Sequence, residues 1–282
     1  MAELLQAQRG AGLGRQGVPL SIWLSFAVLF LIVVLALLGT SITPYNPSEQ
    51  RLFVGDTPPS SEFWAGTDLL GRDVLSRSML GARTALIGAI VISVGAFAIA
   101  TALGLLSGYL GGKVDSVITR WIDIMLALPA LLIAIVIVGI VGGGLWIAIL
   151  VLIILFTAPD TRIVRSAVLE QRPLPYIEAA RTLGVPKTRI MYGHILPNIL
   201  PILFAYIVLD FAFALVALAG LSFLGLGIPP GTADWGRMLI ENKGILFTNP
   251  MGIVLPAVLI ILTAASMNLI GDWLYDRYSL RT

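Results

Sequence analysis

Long runs of apolar residues recur along this 282-residue chain, and they restrict the folds open to it. About 20 apolar residues are enough for a helix to cross the hydrocarbon core of a bilayer. Charged residues make up 12% of the chain, whereas soluble domains carry roughly 25%. Inside a bilayer a helix satisfies its own backbone hydrogen bonds. The sequence therefore predicts an all-α integral membrane protein.

The apolar runs predict six transmembrane helices, at 20–42, 84–109, 117–141, 145–162, 195–219 and 251–272. Pro129, Pro201 and Pro256 lie within the third, fifth and sixth spans, and Pro159-Asp160 interrupts the fourth. Bundled membrane helices tolerate prolines because neighbouring helices satisfy the freed carbonyls. We therefore expect proline-bent spans around a cavity, with Asp160 capping a broken fourth helix.

The first apolar run could be either a spanning helix or a cleaved signal peptide. At 20 residues, 20–39 is longer than the ~7–15 residues of a signal-peptide core. Pro44 and Pro47 follow it, rather than a clear A-x-A cleavage site. We therefore expect an uncleaved first span, preceded by a tail at 1–19.

Basic residues favour an orientation with both termini in the cytoplasm. With the N-terminus inside, twelve Lys and Arg residues fall in inner segments and six in outer ones, and cytoplasmic loops carry the basic excess. Residues 43–83 then form an extracytoplasmic loop, with an interfacial helix leading into the second span. A second outer loop covers about 220–250, and 273–282 form a cytoplasmic tail.

The stretch PLPYIEAARTLGVPKTRIMYGHILPN at 173–198 breaks the apolar pattern. Pro173 and Pro175 delay helix formation until about Tyr176. Gly184 suits the left-handed position after a helix end, and Pro186 suits the first turn of the next helix. The pattern predicts a short helix, a glycine corner and a second helix that continues into the fifth span.

The short helix has one thin apolar face, made of residues three, four and seven apart: Tyr176, Ala179, Ala180 and Leu183. Glu178 and Arg181 flank this face and could pair with each other or with a partner. A thin apolar strip with a charged border is typical of a docking helix. The alternative is a loop that folds back on its own chain.

The order of residues in this loop resembles the EAA loop of ABC-importer membrane subunits. Glu-Ala-Ala at 178–180 is followed by Gly184 and then by Ile-Leu-Pro at 195–197. GTDLLGRDVLSRSMLGARTAL at 66–86, RWIDIMLALPALLIAI at 120–135 and LSFLGLGIPP at 221–230 are similar to C-type permeases of dipeptide and oligopeptide importers. The resemblance covers about 20–272. His194 departs from the usual pattern, and so does Leu218, where many relatives carry a glutamate.

The resemblance implies the type I ABC importer membrane-domain fold, with a five-helix core at 84–272 and a coupling loop at 163–197. Within that loop, the implied coupling residues are Tyr176, Glu178, Ala179, Ala180, Arg181, Leu183 and Gly184. It also implies a sister B-type permease, two ABC ATPase subunits that bind ATP and Mg²⁺, and an extracytoplasmic substrate-binding protein. The expected location is the cytoplasmic membrane of a bacterium or archaeon.

The chain itself is expected to be non-catalytic and to hold no cofactor or metal. It has no Cys, one His and no G-x-x-x-x-G-K-[ST] motif. The nearest match, at Gly112-Lys113, has Ser107 where the upstream glycine belongs. No basic tract indicates nucleic-acid binding.

Acidic residues within the spans are costly and usually face a cavity or a partner. Asp210 and Asn268 are expected to line the translocation path; alternatively, Asp210 pairs with a polar neighbour such as Asn268. Asp123 is expected to pair with Arg120, three residues earlier on the same helix. Gly-Gly-Gly at 142–144 predicts a tight turn.

The outer segment around Asp234-Trp235-Gly236 allows two interpretations. Pro229, Pro230, Asp234 and Trp235 could form a docking surface for the substrate-binding protein. Alternatively, Trp235 could be an aromatic anchor at the membrane interface.

Three functions stay open at this point. The first is a peptide-importer permease driven by a separate ATPase. The second is the same machinery importing nickel chelates, glutathione or another small solute. The third, a secondary transporter or channel, is less favoured because it has no use for a cytoplasmic docking helix.

Overall fold

The computed structural model describes residues 18–279. Helices follow one another along this part of the chain, and its β-structure is a single isolated bridge between Thr67 and Asp73. The α-helices are α1 Leu20–Ile42, α2 Val74–Leu110, α3 Gly112–Leu126, α4 Ala130–Val141, α5 Leu145–Gln171, α6 Pro175–Thr182, α7 Lys187–Ile190, α8 Leu196–Phe223, α9 Trp235–Glu241 and α10 Met251–Ser279. A π-helical turn, Met191–Ile195, joins α7 to α8, and a 3₁₀ turn, Lys243–Ile245, follows α9. The predicted all-α fold is confirmed.

Five helical stretches within 18–279 are long and apolar enough to cross a membrane: α1, α2, α5, α7 with α8, and α10. A sixth span is formed if α3 and α4 are taken together, although an 84° bend separates them. The bend lies at Pro129, whose ψ of 118° is extended. Proline has no N–H to donate and disfavours a helical conformation in the residue before it. The expected bent third span is therefore a broken one.

Pro159 does not break its helix, unlike Pro129. Helix α5 is continuous from Leu145 to Gln171 with Pro159 inside it, so the expected break in the fourth span is wrong. Asp160 is accordingly not a cap, because it lies buried in the middle of the helix. Packing explains the difference, since α5 lies along α2, where Val164 approaches Gly104 and Val168 approaches Gly108.

Helix α2 also differs from the expectation of a separate interfacial helix before the second span. It begins at Val74, where Asp73 accepts a 2.8 Å hydrogen bond from the Ser76 N–H, and it runs unbroken for 37 residues. At 1.5 Å per residue its length is about 55 Å. Ser76, Arg77 and Ser78 in its first turns are buried within the protein rather than exposed.

Two main apolar clusters lie along the bundle. The larger one lies in its middle and includes Ala89 of α2, Leu152 of α5 and Leu215 of α8. The smaller one surrounds the short helix α6 and includes Val168 of α5 and Ile190 of α7. The turn between α4 and α5 is built as expected, because all three glycines at 142–144 have positive φ.

Candidate functional site

The short helix α6 has the ends that its sequence predicts. Pro175 is its first residue, and Gly184 follows its C-cap with φ of +74°. The Gly184 N–H donates to the Arg181 carbonyl at 3.0 Å, and the Val185 N–H donates to the Ala180 carbonyl at 3.1 Å. This pair of bonds is the Schellman motif, which a left-handed glycine makes possible. The predicted order of short helix, glycine corner and second helix is confirmed.

One of the residues predicted for the docking face of α6, Ala180, lies on its buried face instead. Ile177 and Ala180 are buried at 0% and 6% exposure, in the same apolar cluster as Tyr109. Ala180 therefore points into the protein and is not available to a docking partner. The reason is that Ile177, three residues earlier, anchors that side of the helix.

The outward face of α6 carries four of the other predicted residues. Tyr176, Glu178, Ala179 and Leu183 are all exposed. Leu183 is 82% exposed, although it is a large apolar side chain. Among residues 18–279 no ion pair involves Glu178. The exposed side chain of Leu183 and the carboxylate of Glu178 therefore both point away from the protein. We call these four residues the outer face of α6.

Polar contacts fix α6 to the helices around it. The Tyr176 hydroxyl donates to Gln171 Oε1 at 2.7 Å, at the end of α5, and accepts from Asn198 Nδ2 at 3.4 Å, near the start of α8. The Arg181 guanidinium lies 5.2 Å from the centre of the Tyr109 ring, and its Nε lies 3.4 Å from the Tyr109 hydroxyl. Arg181 thus contacts α2 rather than Glu178.

The second helix carries α6 into the bundle without a flexible joint. From Lys187 the chain is helical to Phe223, through α7, the π-helical turn and α8. His194, the departure from the family pattern, lies in that π-helical turn, where its Nδ1 is 3.1 Å from the Arg189 carbonyl. The corner at Gly184 is therefore followed by one continuous helical segment that is long and apolar enough to span a membrane.

A bidentate ion pair holds the start of α3 against α5 near the same end of the bundle. Arg165 Nε and Nη2 lie 2.6 and 2.7 Å from the two Asp115 carboxylate oxygens. The Ser107 hydroxyl donates to the same carboxylate. Two parallel charge-assisted bonds fix both position and orientation. The helices that carry α6 are thus joined to one another as well as to α6.

Asp210 lines a cavity of about 540 Å³ between α4, α5 and α8. The cavity wall includes Asp160 but not Asn268. Within the described residues no hydrogen bond joins Asp210 to Asn268, so the expected pairing is not formed. The structure instead brings together Asp210 and Asp160, which sequence reasoning had placed at a helix cap.

Asp123 is paired with a different arginine from the expected one. Arg162 Nη2 lies 2.7 Å from Asp123 Oδ1, with both side chains more than half exposed. The Arg120 pairing is therefore wrong, because the partner comes from α5 rather than from the same helix. Exposed pairs of this kind contribute only about 0–1 kcal/mol.

Trp235 is fully buried and cannot serve either of its two expected roles. Its Nε1 donates to the Ser78 carbonyl at 2.8 Å, and its ring meets α2 at Gly81. A side chain with no exposed surface can neither dock a soluble protein nor lie at a membrane interface. Pro229 and Pro230 are exposed and stay available on this side of the molecule.

Asp234 is also buried, and it caps helix α9. Its carboxylate accepts from the Arg237 N–H at 2.9 Å, and it is 2% exposed. Burial raises the pKa of Asp234 to about 6, although the hydrogen bond from Arg237 opposes this change. Asp234 therefore has a structural role in the loop rather than a docking role.

Residues 100–282 match the family of binding-protein-dependent transport system inner membrane components. The chain belongs to this family. It is therefore a multi-pass membrane component of a transport system, and the family supplies the membrane subunit rather than a catalytic one.

Individual relatives of this permease are similar over most of their length. The dipeptide transport system permease protein DppC of Alkalihalophilus pseudofirmus is 38% identical over 249 residues, which cover 88% of this chain and 80% of that protein. The oligopeptide transport system permease protein OppC of Bacillus subtilis is 33% identical, with 88% and 82% covered. The glutathione transport system permease protein GsiD of Pectobacterium atrosepticum is 35% identical, with 88% and 83% covered.

A solved structure of the MetNI methionine ABC transporter in an inward facing conformation shares the fold of this permease. The TM-score is 0.59 and the identity 21%, with 70% of this chain and 94% of that chain covered. The fold of a type I ABC importer membrane subunit, expected from the resemblance, is thus confirmed.

An ion network on the side of the permease opposite α6 escaped sequence analysis. Arg72 Nε lies 2.6 Å from Asp68 Oδ2, and Glu241 Oε2 accepts from Arg72 at 2.9 Å and from Arg77 at 3.1 Å. Arg237 holds the other Glu241 oxygen at 3.0 Å. The sequence signal was the presence of Arg72, Arg77 and Arg237 in predicted outer segments. Their acidic partner lies 169 residues from Arg72, which no local pattern reveals.

Proposed function

We propose that this permease is a subunit of an ATP-driven, binding-protein-dependent importer of di- and oligopeptides. It forms half of the translocation path, beside a sister B-type permease. Two separate ABC ATPase subunits bind ATP and Mg²⁺, and an extracytoplasmic binding protein delivers the cargo. Both termini lie in the cytoplasm of a bacterial or archaeal cell.

The outer face of α6 is the observation that carries this proposal. An isolated helix of eight residues is marginal in water, and the inner side of α6 already packs on its own chain. The exposed Leu183 and the unpaired Glu178 are therefore best explained by a partner that covers them. A soluble ATPase beneath the membrane is the partner that the family resemblance implies.

The rigidity of the connection supports a role in force transmission. Moving a two-state pore from 1:99 to 99:1 takes about 5.5 kcal/mol of differential binding. A flexible loop would absorb such a bias, whereas α6 is fixed by the Schellman motif and by Tyr176 and is continuous with α8. ATP-driven movement of the ATPase would thus reach the spanning helices.

Cargo is assigned from the relatives' names. A dipeptide and an oligopeptide permease are among the relatives, as is a glutathione permease. Peptides are the better supported cargo, with glutathione, nickel chelates or another small solute as the alternative. A secondary transporter or channel needs no ATPase, so the outer face of α6 would have no partner to bind.

The test is peptide uptake and ATP hydrolysis by the complete importer in vesicles. Gly184→Ala places a side chain on a left-handed residue, which costs about 1–2 kcal/mol, although open space surrounds the new Cβ. We expect uptake to fall at least fivefold while membrane insertion and ATPase binding of nucleotide persist. Gly55→Ala is the matched control, since Gly55 has φ of +61°, is equally open and lies in the segment before α2.

A second pair of variants tests the negative charge of Glu178 rather than the turn at Gly184. Glu178→Ala should also reduce uptake per ATP hydrolysed, whereas Glu62→Ala, at another exposed acid, should not. Undiminished uptake in both α6 variants, or uptake without any ATPase, would favour a secondary transporter. Competition by di- to pentapeptides supports peptide cargo, and competition by glutathione or nickel alone supports the alternative.

A further inference from the structure

The cavity between α4, α5 and α8 contains two carboxyl groups that lack donors. Asp160 Oδ2 and Asp210 Oδ2 are both buried, and within residues 18–279 neither has a hydrogen-bond partner. Asp160 is 3% exposed. Leaving a buried polar group unpaired is unfavourable, and more so for a charged group. A ligand that donates hydrogen bonds into the cavity would satisfy this pair.

The other deeply buried acids of this permease do have donors. Asp68 binds Arg72, Asp73 accepts from Ser76, and Asp234 accepts from Arg237. Among the acids of the described chain that are less than a tenth exposed, Asp160 alone is without one. The other buried carboxylates thus accept hydrogen bonds from the protein, and Asp160 is the exception.

The cavity wall itself supplies no positive charge. As far as residues 18–279 form it, its lining includes the two carboxyls and no Lys, Arg or His. Pro159 adjoins Asp160 and has no N–H, so the carbonyl one turn earlier, that of Leu155, loses its usual helical donor. Asp210 lies on the same cavity wall as Asp160, and two like charges at one site disfavour each other. The two carboxyls and the Leu155 carbonyl are therefore hydrogen-bond acceptors that lie close together, and the cavity wall offers them no cationic donor.

The rest of the wall is apolar and aromatic, with rings from Phe97, Phe156, Tyr206 and Phe213. A volume of about 540 Å³ lies within the roughly 300–1,000 Å³ of small-molecule pockets. Aromatic faces attract organic cations. A Ca²⁺ or Mg²⁺ ion fits less well, because these ions take about six or more oxygen ligands and two carboxylates offer four oxygens.

We propose that this cavity is a binding site for an organic ammonium group, held between Asp160 and Asp210 against the aromatic wall. The inference rests on the proposed function in one respect: the ammonium group would be the free N-terminus of a transported peptide. Asp160 and Asp210 are then binding residues for the cargo within the membrane.

The experiment uses the complete importer and an apolar carbodiimide, dicyclohexylcarbodiimide, which modifies carboxyl groups in apolar surroundings. Mass spectrometry of the α5 and α8 peptides reports labelling of Asp160 and Asp210. The probes are 2-phenylethylammonium and the neutral 2-phenylethanol, which has nearly the same shape. We expect the ammonium probe to reduce labelling of both residues at least tenfold and the alcohol to leave it unchanged.

Variants test whether the two carboxyls act together. Asp160→Asn should raise the concentration of 2-phenylethylammonium that half-protects Asp210 at least fivefold. Asp123→Asn, at an exposed carboxylate outside the cavity, should leave that concentration unchanged. The protection experiment on the unaltered chain stands even if the Asp160 variant does not fold.

Three results would overturn the proposal. Equal protection by the alcohol would show an apolar pocket only, and no protection by either probe would show carboxyls that bind no ammonium group. Absence of labelling without a probe would show a cavity already filled, for instance by a cation of the sister subunit.

The proposed function is tested separately, by peptide uptake in the same preparation. Uptake of peptides without ammonium protection would overturn this site alone. Protection without peptide uptake would leave the ammonium site standing and overturn the peptide cargo.

Discussion

At the scale of single residues, Asp234 combines a cap with deep burial. Its carboxylate accepts the Arg237 N–H at the start of α9, next to the fully buried Trp235. Burial raises the pKa of Asp234 to about 6 from an ordinary value of 3.8. The folded protein therefore holds a proton that the unfolded chain has already released at pH 5.

A pH dependence of stability follows. The contribution of Asp234 is fully present below about pH 4 and is lost as the pH rises to about 6, since the folded state binds the proton more tightly. The difference between the ordinary and the raised pKa of Asp234 corresponds to about 3 kcal/mol. Asp234→Asn keeps a good cap but removes the titration. Thermal unfolding in detergent should show the unaltered protein losing stability relative to this variant between pH 4 and 6.

Asp272→Asn, at an exposed carboxylate in α10, is the control for this measurement. Its stability should stay at a fixed difference from the unaltered protein across the same pH range. A difference between the unaltered protein and Asp234→Asn that is the same at pH 4 and pH 6 would contradict the account.

Sequence reasoning succeeded at Gly184 and failed at Trp235, for a physical reason. A left-handed corner is a local requirement of the backbone, so the order of helix formers, glycine and proline reveals it. Burial of Trp235 depends on Ser78 and Gly81, more than 150 residues away. The same limit applies to Ala180, whose inward direction is set by the cluster around Tyr109.

At the scale of helices, the approach of α2 to α5 depends on two glycines one turn apart. A Cβ at Gly104 would lie 2.6 Å from Val164 Cβ, and one at Gly108 would lie 2.8 Å from Val168 Cβ. Small residues four apart let membrane helices approach closely. This contact positions the end of α5 from which α6 continues.

Adding a methyl group at this contact should destabilise the permease. Gly104→Ala overpacks the contact, and such changes typically cost about 1–3 kcal/mol, measurable as a lower midpoint of thermal unfolding in detergent. Gly139→Ala is the control, because nothing lies within 4 Å of the new Cβ in α4. Equal stability of Gly104→Ala and Gly139→Ala would refute the close contact.

Prolines show how far helix boundaries could be predicted. Pro129 and Pro159 follow the same local rule, and both were expected to disturb a span. Pro129 separates α3 from α4 by an 84° bend, whereas α5 continues through Pro159. Packing against α2 distinguishes the two, and a single sequence carries no direct signal of that packing.

At the scale of the whole molecule, α2 connects the two ends of the permease. Arg77 near its start joins the ion network with Glu241, and Tyr109 near its end contacts Arg181 of α6. These contacts lie 32 residues apart on one continuous helix, or about 48 Å at 1.5 Å per residue. One continuous helix therefore contacts both α6 and the ion network on the opposite side of the protein.

Engagement of the outer face of α6 by a separate ATPase is the central claim, and cysteine protection measures it most directly. The chain has no Cys, so Leu183→Cys and Phe247→Cys each create one reactive thiol. Both positions are highly exposed, at 82% and 97%. When the ATPase subunits are added to the purified permease, maleimide labelling at residue 183 should slow at least tenfold and labelling at 247 should not change. Labelling at 183 that proceeds at the same rate with the ATPase bound would contradict the account.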